Sequence, residues 1–424
     1  MNNGRNIELL DLIMCLSDAM DFIDPAVVDH HKRVAYIAYN IGAELGLSLN
    51  ELKQLVLAGS LHDIGAFSLR ERRDTLAFEV SNPHGHAMTG YSLLGLFEPL
   101  SAIASVVRFH HVRWAHGAGR QFRGLDVPLL SHIIHLSDRI AILIDNKREI
   151  LGQVSGIIGT IRKKNGSMFK PELVDVFQQV AAREYFWLDL SSPAMRMTLS
   201  QRLRSARLAI DSGDMIGFSE LFSRIIDFKS PFTTTHSSGV AACAEFLAGK
   251  AGFTKRECAA MRIAGHMHDL GKLAVPVEIL DKPARLSRKE YNVVRHHSFY
   301  TYRILQSVAP LQTINTWAAF HHERLDGTGY PFHLKEKDLP LGSQIMAVAD
   351  VFTALTEDRP YRAGMKQSGA MRILSAMSSR SALNAEIVAM LRKHYDEADA
   401  LRMRAQLSAR LKYRDIETGR EKRR

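Results

Sequence analysis

Histidine and aspartate recur along this chain in a fixed order and at a nearly fixed interval, a repeat that constrains the fold more than any other feature. Asp21-Phe22-Ile23-Asp24-Pro25 leads to His30, and Asp227-Phe228-Lys229-Ser230-Pro231 leads to His236, 206 positions later. His62-Asp63-Ile64-Gly65 matches His268-Asp269-Leu270-Gly271 at the same offset of 206. His86 and His297 lie 211 apart, and each is followed seven residues on by two large aliphatics, Leu93-Leu94 and Ile304-Leu305. His110-His111 matches His321-His322 at 211, and Asp138 matches Asp350 at 212. Anchors that keep their order, with drift only between them, describe a tandem duplication of one domain. The repeat places the domains at residues 1–195 and 200–424, joined through Ser191-Ser192-Pro193.

Each copy must bury its own core, and the 46% hydrophobic content of the 424 residues is enough for two. Disorder over most of the chain is excluded on the same ground. The elements are expected to be helical. Apolar residues recur at three- and four-residue spacing in Leu9, Leu12, Ile13, Leu16, in Leu52, Leu55, Val56, Gly59, and in Leu391, His394, Tyr395, while alternating Val, Ile and Thr runs are nearly missing. The fold class expected is all-α, two tandem helical bundles.

Composition also limits the partners. The most apolar run, Leu129 to Ile144, contains His132, His135, Asp138 and Arg139, so a membrane span is not expected. Three cysteines without a CxxC pair argue against a disulfide framework or thiolate metal site, and with no export signal the chain reads as cytoplasmic. Of the net charge of +10, the segment Arg402–Arg424 carries +6, which reads as a solvated helix end or arm rather than a nucleic-acid surface.

The anchors themselves read as metal ligands. Each copy offers five histidines and two aspartates from five segments, a nitrogen and oxygen set suited to iron, manganese, zinc or nickel. Seven ligands exceed what one four-coordinate zinc needs and match two ions sharing a bridging group. Adjacent residues on a helix point about 100° apart, so His268-Asp269 can serve two neighbouring ions or bridge them. Isolated histidines such as His84, His116, His132 and His394 read as ordinary core or surface residues.

The second copy adds His268-Asp269-Leu270-Gly271-Lys272, His321-His322-Glu323 followed by Asp326-Gly327-Thr328-Gly329-Tyr330-Pro331, and Asp350 followed by Arg359-Pro360-Tyr361-Arg362. Over residues 214–400 it resembles the HD-GYP family of bacterial cyclic dinucleotide phosphodiesterases, within the HD phosphohydrolase superfamily. The resemblance implies metal ligation by His236, His268, Asp269, His297, His321, His322 and Asp350. It implies catalytic roles for Asp269 and Lys272, the lysine contacting the scissile phosphate. It also implies that Gly329, Tyr330, Pro331, Arg359 and Arg362 hold the dinucleotide. The chemistry is consistent. Two ions can polarise a phosphoryl oxygen and lower the pKa of a shared water, while permanently charged guanidinium groups clamp the phosphodiester that stays intact. Two divalent ions, iron or manganese, are expected in this domain. A third would need a Glu four residues before His236, where Phe232 stands. Thr301 occupies a position usually held by glycine.

The first copy keeps His30, His62, Asp63, His86, His110, His111 and Asp138, a candidate second metal site. Ala66 replaces the lysine, His110-His111-Val112-Arg113-Trp114-Ala115-His116-Gly117-Ala118-Gly119 replaces the GYP loop, and no arginine pair follows Asp138. It reads as a regulatory or packing domain, with a second hydrolase as the alternative. The expected activity is metal-dependent hydrolysis of cyclic di-GMP or 3'3'-cyclic GMP–AMP to the linear dinucleotide, and onward to mononucleotides. The rivals are a general HD nucleotide phosphohydrolase and a non-catalytic cyclic dinucleotide receptor. A second copy of the chain or a signalling protein is the expected macromolecular partner.

Overall fold

The computed structural model describes residues 7–21, 29–66, 71, 74–75, 77–80, 83–203, 209–229, 235–358 and 363–417. Phe232, Arg359 and Arg362 lie outside these residues. The chain divides into two compact units, one over Glu8–Ala209 and one over Ile210–Arg424 together with Met1–Ile7. Both are helical, and no helix among the described residues is long and apolar enough to cross a membrane.

The N-terminal unit runs through α1 (Leu9–Asp21), α2 (His30–Glu44), α3 (Leu49–Leu61), α4 (Pro83–Leu94), α5 (Glu98–Arg108), α6 (Leu129–Ile142), α7 (Val154–Arg162), α8 (Pro171–Ala181), α9 (Glu184–Leu190) and α10 (Met195–Arg202). The C-terminal unit continues with α11 (Ser212–Lys229), α12 (His236–Lys250), α13 (Lys255–Met267), α14 (Val277–Leu280), α15 (Arg288–Gln306), α16 (Gln312–Ala319), α17 (Leu341–Thr356), α18 (Gln367–Ser378), α19 (Ala385–Lys393) and α20 (Tyr395–Glu417).

The two units share a local grammar. Ser48 caps α3 and Thr254 caps α13, each in a reciprocal capping box with a glutamate three residues on, Glu51 and Glu257. Such a cap satisfies orphan amides and fixes where the helix starts, hence where it ends. α2 packs on α3 and α6, as α12 packs on α13 and α17. A Cβ on Gly59 would stand 2.7 Å from the Ala35 Cα, and one on Gly265 2.5 Å from the Ala241 Cα, so glycine lets each helix pair close. Leu12, Leu16, Leu55 and Leu61 fill one core; Leu247, Met267, Leu305 and Phe352 fill the other, all fully buried. Each such side chain stabilises its unit by about 1.5–3 kcal/mol.

The helical spacing expected through Leu391, His394 and Tyr395 breaks at His394, which ends α19 immediately before α20 begins. Along the basic tail Arg404, Arg410, Lys412 and Arg414 are exposed as expected, and Arg402 is the exception. Arg402 is 6% exposed, donates to Asp399 Oδ1 at 2.7 Å, and gives its remaining donors to Gln406 Oε1 at 2.5 Å.

Candidate metal centre and substrate loop

Five helix ends and helix faces converge in the C-terminal unit. His236 opens α12, His268-Asp269 follow α13, His297 lies on α15, His321-His322 follow α16, and Asp350 lies on α17. All but His322 are buried, at 8% exposure or less. Donor atoms fall within 4.8 Å of one another in three overlapping groups: His236, His268 and Asp350; His268, Asp269 and His321; His297, His321 and His322. The seven residues expected to act together do stand together.

The tautomers are set by the main chain. Nδ1 of His268 faces the carbonyl of Gly265 at 2.8 Å, Nδ1 of His297 that of Val294 at 2.6 Å, and Nδ1 of His321 that of Ala318 at 2.7 Å. A carbonyl only accepts, so each Nδ1 donates and each Nε2 points a lone pair into the cage. His268 Nε2 is buried and makes no hydrogen bond. An orphaned buried nitrogen beside carboxylates is the fit expected of a cation ligand.

The charge states suit the same use. Burial opposes ionisation of Asp269 and Asp350, yet the surrounding imidazoles, with Lys272 beside Asp269, hold both below the usual carboxylate range. Burial pushes His297 down to about 3 and His322 to about 4, so both stay unprotonated. His236 differs. Burial opposes its charge, but Glu357 and Asp350 outweigh burial and raise it to about 10. Its Nδ1 faces Glu357 Oε2 at 3.0 Å and its Nε2 faces Asp350 Oδ1 at 3.1 Å. A metal bound here would displace that Nε2 proton.

Residues beyond the ligand set hold it in place. Glu357 accepts from Gln406 Nε2 at 3.2 Å, and Gln406 meets Arg402, so a chain of contacts runs from α20 to His236. Thr301 accepts from the Gly271 amide at 2.9 Å and donates to the His268 carbonyl at 3.0 Å, stitching the HD turn to α15. Its first-copy counterpart at an offset of 211 is Gly90, so the hydroxyl is a local addition to the second copy. Asp227, an anchor of the repeat, is buried and accepts from Ser237 Oγ at 2.9 Å.

The DGTGYP segment is a built loop. Buried Glu323 accepts from the amides of Phe332 at 2.6 Å and Leu334 at 3.0 Å, and Asp326 accepts from Thr328. A Cβ on Gly329 would come within 2.4 Å of Glu323 Cα, which only glycine avoids. The loop brings the Tyr330 ring to 4.9 Å from the His322 ring, with Arg295 over it at 4.6 Å. Beside it opens a cavity of about 500 Å³ lined by Asn292, Arg295, His296, Phe299, Tyr300, Tyr330 and Pro331. Lys272 reaches Asp269 Oδ2 at 2.6 Å while its side chain remains 20% exposed.

The N-terminal unit repeats the cage: His30 opens α2, His62-Asp63 follow α3, His86 lies on α4, His110-His111 follow α5, and Asp138 lies on α6. All seven are buried. His62 and His110 donate from Nδ1 to the carbonyls of Gly59 and Val107. Ala66 is buried where Lys272 stands in the other unit. In place of the GYP loop there is a short turn over Ala115–Arg120 and a hairpin pairing Gln121–Phe122 with Leu125–Asp126.

An HD domain model matches residues 220–387, and another matches residues 27–143. The 3'3'-cGAMP-specific phosphodiesterase 1 of Vibrio cholerae is 30% identical over 398 residues, covering 91% of this chain and 92% of the relative. The chain belongs to the HD-GYP phosphodiesterase family. A second full-length HD-GYP relative is the 3'3'-cGAMP-specific phosphodiesterase 3 of the same organism, 28% identical across 91% of this chain and 94% of its own. The cyclic di-GMP phosphodiesterase response regulator RpfG of Xanthomonas campestris is 32% identical over 43% of this chain and 49% of its own. The fold agrees with a crystal structure of a cyclic GMP-AMP specific phosphodiesterase of V. cholerae, with a TM-score of 0.66 over 92% of this chain and 98% of that one at 24% identity. In HD-GYP terms, both HD motifs sit in His/Asp clusters able to bind metal, and only the second unit carries the GYP loop.

Proposed function

We propose that this chain is a metal-dependent phosphodiesterase that opens a cyclic dinucleotide to its linear form, with the C-terminal unit as its hydrolytic centre. The observation that carries the reading is that one unit combines a His/Asp cage, a lysine at its mouth and an aromatic loop bordering a cavity. The substrate favoured is 3'3'-cyclic GMP–AMP. The two relatives that match along nearly their whole length carry that specificity in their names, while RpfG matches over less than half.

His236, His268, Asp269, His297, His321, His322 and Asp350 would hold two divalent ions, iron or manganese. Bound there, the ions supply Lewis acidity at the phosphoryl oxygen and lower the pKa of water. The chain's own groups do the rest. Lys272 offers a cation to a non-bridging oxygen as negative charge develops on the phosphorus centre. Tyr330 and Arg295 form a platform on which a base stacks, and the adjacent cavity accepts it. Arg359 and Arg362 clamp the phosphodiester that is not cleaved. The main-chain carbonyls behind His268, His297 and His321 keep three imidazoles oriented through the cycle.

The deciding experiment loads the full chain anaerobically with manganese or iron. It then follows 3'3'-cyclic GMP–AMP, cyclic di-GMP and cyclic di-AMP by chromatography. The expected result is linear dinucleotide from the mixed substrate fastest. Tight binding without any linear product would leave the receptor reading standing instead.

A further inference from the structure

We propose that the N-terminal cage holds a single metal ion, at Asp63, His86, His110 and His111, and that the Arg139 guanidinium stands in for a second ion beside Asp138. The inference does not rest on the hydrolytic reading.

The two ends of this cage are built differently. At one end, donor atoms of Asp63, His86, His110 and His111 all lie within 4.8 Å of one another, and all four residues are buried. His86 Nε2 stands 3.0 Å from His111 Nε2 and 3.2 Å from Asp63 Oδ1. His110 Nε2 and Asp63 Oδ1 are buried and make no hydrogen bond. One of His86 and His111 can donate its Nε2 proton to the other, but the orphaned His110 Nε2 and Asp63 Oδ1 beside them are the fit expected of a cation ligand. Three imidazoles and one carboxylate suit a first-row divalent ion such as zinc.

At the other end His30, His62 and Asp63 also have donor atoms within 4.8 Å of one another, and His62 Nε2 and Asp138 Oδ1 are likewise buried without a hydrogen bond, but there a cation is already present. Arg139 donates from Nε to Asp138 Oδ2 at 3.1 Å, and from a terminal nitrogen to the same oxygen at closer range. Its other donors go to the carbonyls of Thr75 at 3.0 Å, Ala77 and Phe78 at 3.3 Å, and the side chain is 1% exposed. A guanidinium so engaged is a fixed, permanent charge. In the C-terminal unit Val351 follows Asp350, and both carboxylate oxygens face histidines, Oδ1 at 3.1 Å from His236 and Oδ2 at 4.0 Å from His322. In the N-terminal unit only Oδ1 of Asp138 still faces ligands, His30 at 3.3 Å and His62 at 3.7 Å. A divalent ion bound there would face Arg139 across a single carboxylate.

The test is zinc content by elemental analysis of the full chain, stripped of metal, reloaded with zinc and desalted. Removing the whole cage with His62→Ala, Asp63→Ala and His110→Ala together is expected to lower the content by one ion per chain. His110→Ala alone, or His86→Ala if that variant fails to fold, is expected to lower it by the same one ion, and His30→Ala by none. Arg139→Val, which copies the C-terminal sequence, is expected to raise the content by one wherever circular dichroism shows native helicity. A loss of two ions on removing the cage, no loss at all, or an ion lost with His30→Ala would overturn the proposal.

Discussion

Gly271 lies so close to His297 that a Cβ on it would stand 1.9 Å from the His297 carbonyl oxygen. The first copy repeats the relationship, with Gly65 and the carbonyl oxygen of His86 at 2.1 Å. The glycine of each HD motif is therefore what lets the turn bearing His and Asp abut the helix bearing the third histidine. Any side chain must push that helix away and take His297 Nε2 with it. We predict that Gly271→Ala lowers metal content in the C-terminal cage and reduces hydrolysis at least a hundredfold, because small misplacements at a reacting centre cost that much. Gly65→Ala should leave hydrolysis within about tenfold. Elemental analysis and turnover on folded protein check both.

Thr301 gives a stability prediction at the same junction. Its hydroxyl pairs the Gly271 amide with the His268 carbonyl, and all three residues are buried. Thr301→Val keeps the shape and strands both main-chain groups, at a cost of about 1–3 kcal/mol for each. Thr301→Ser should recover most of it. Denaturant unfolding of the two variants would show the difference, and equal stability would mean that water replaces the hydroxyl.

The residues legible in sequence were those that ligand chemistry fixes in type and order. His30 to Asp138 and His236 to Asp350 keep their register, as a proposed metal cage that tolerates few substitutions would require, while the residues between them differ. Helical class was legible for the same elementary reason, the three- and four-residue apolar spacing of segments such as Leu9 to Leu16. What supports the ligands was not legible. Glu357 reaches His236 and Gln406 reaches Glu357 across the unit, at sequence separations of 121 and 49 that no local period encodes. Glu323 belongs to a recognised motif, but only the fold shows its carboxylate holding the Phe332 and Leu334 amides. Arg139 read merely as a charge interrupting an apolar run, because its carbonyl partners come from Thr75, Ala77 and Phe78.

Lys272 separates chemistry from binding. If it contacts a phosphate oxygen as proposed, that contact strengthens as charge develops, so Lys272→Ala should lower kcat by a hundred- to a thousandfold with KM little changed. Arg359→Ala or Arg362→Ala should instead raise KM, since the phosphodiester they are proposed to clamp is unchanged in the transition state. Steady-state kinetics with the mixed cyclic dinucleotide decides. The reverse pattern would exchange the two assignments.

His135 predicts acid sensitivity of the N-terminal unit. Burial, with Arg139 adding to it, lowers its pKa to about 3. The unfolded chain takes up a proton near 6.5 that the folded unit refuses, so stability is whole above about pH 6.5 and falls as pH drops toward 3. At pH 5 the loss from this group is about 2 kcal/mol. His135→Leu should remove that increment, visible as a flatter stability profile between pH 7 and 5.

The last prediction assigns the two units different work. Both cages keep the same seven histidines and aspartates, so the presence of metal by itself does not distinguish a hydrolytic centre from a bound ion. Hydrolysis also needs a cation at the cleaved phosphate and a platform for the bases. Lys272 and Tyr330 are proposed to supply these in the C-terminal unit, whereas Ala66 is buried and the turn at Ala115–Arg120 carries no tyrosine. Losing one charge-stabilising contact costs about 2.7–4 kcal/mol in the barrier, a hundred- to a thousandfold in rate. His268→Ala with Asp269→Ala should therefore abolish linearisation, and His62→Ala with Asp63→Ala should leave it within about tenfold. Each pair is compared at equal folded concentration by circular dichroism. An N-terminal pair that folds and is inactive would make the first unit a catalytic partner, with both cages needed for one turnover.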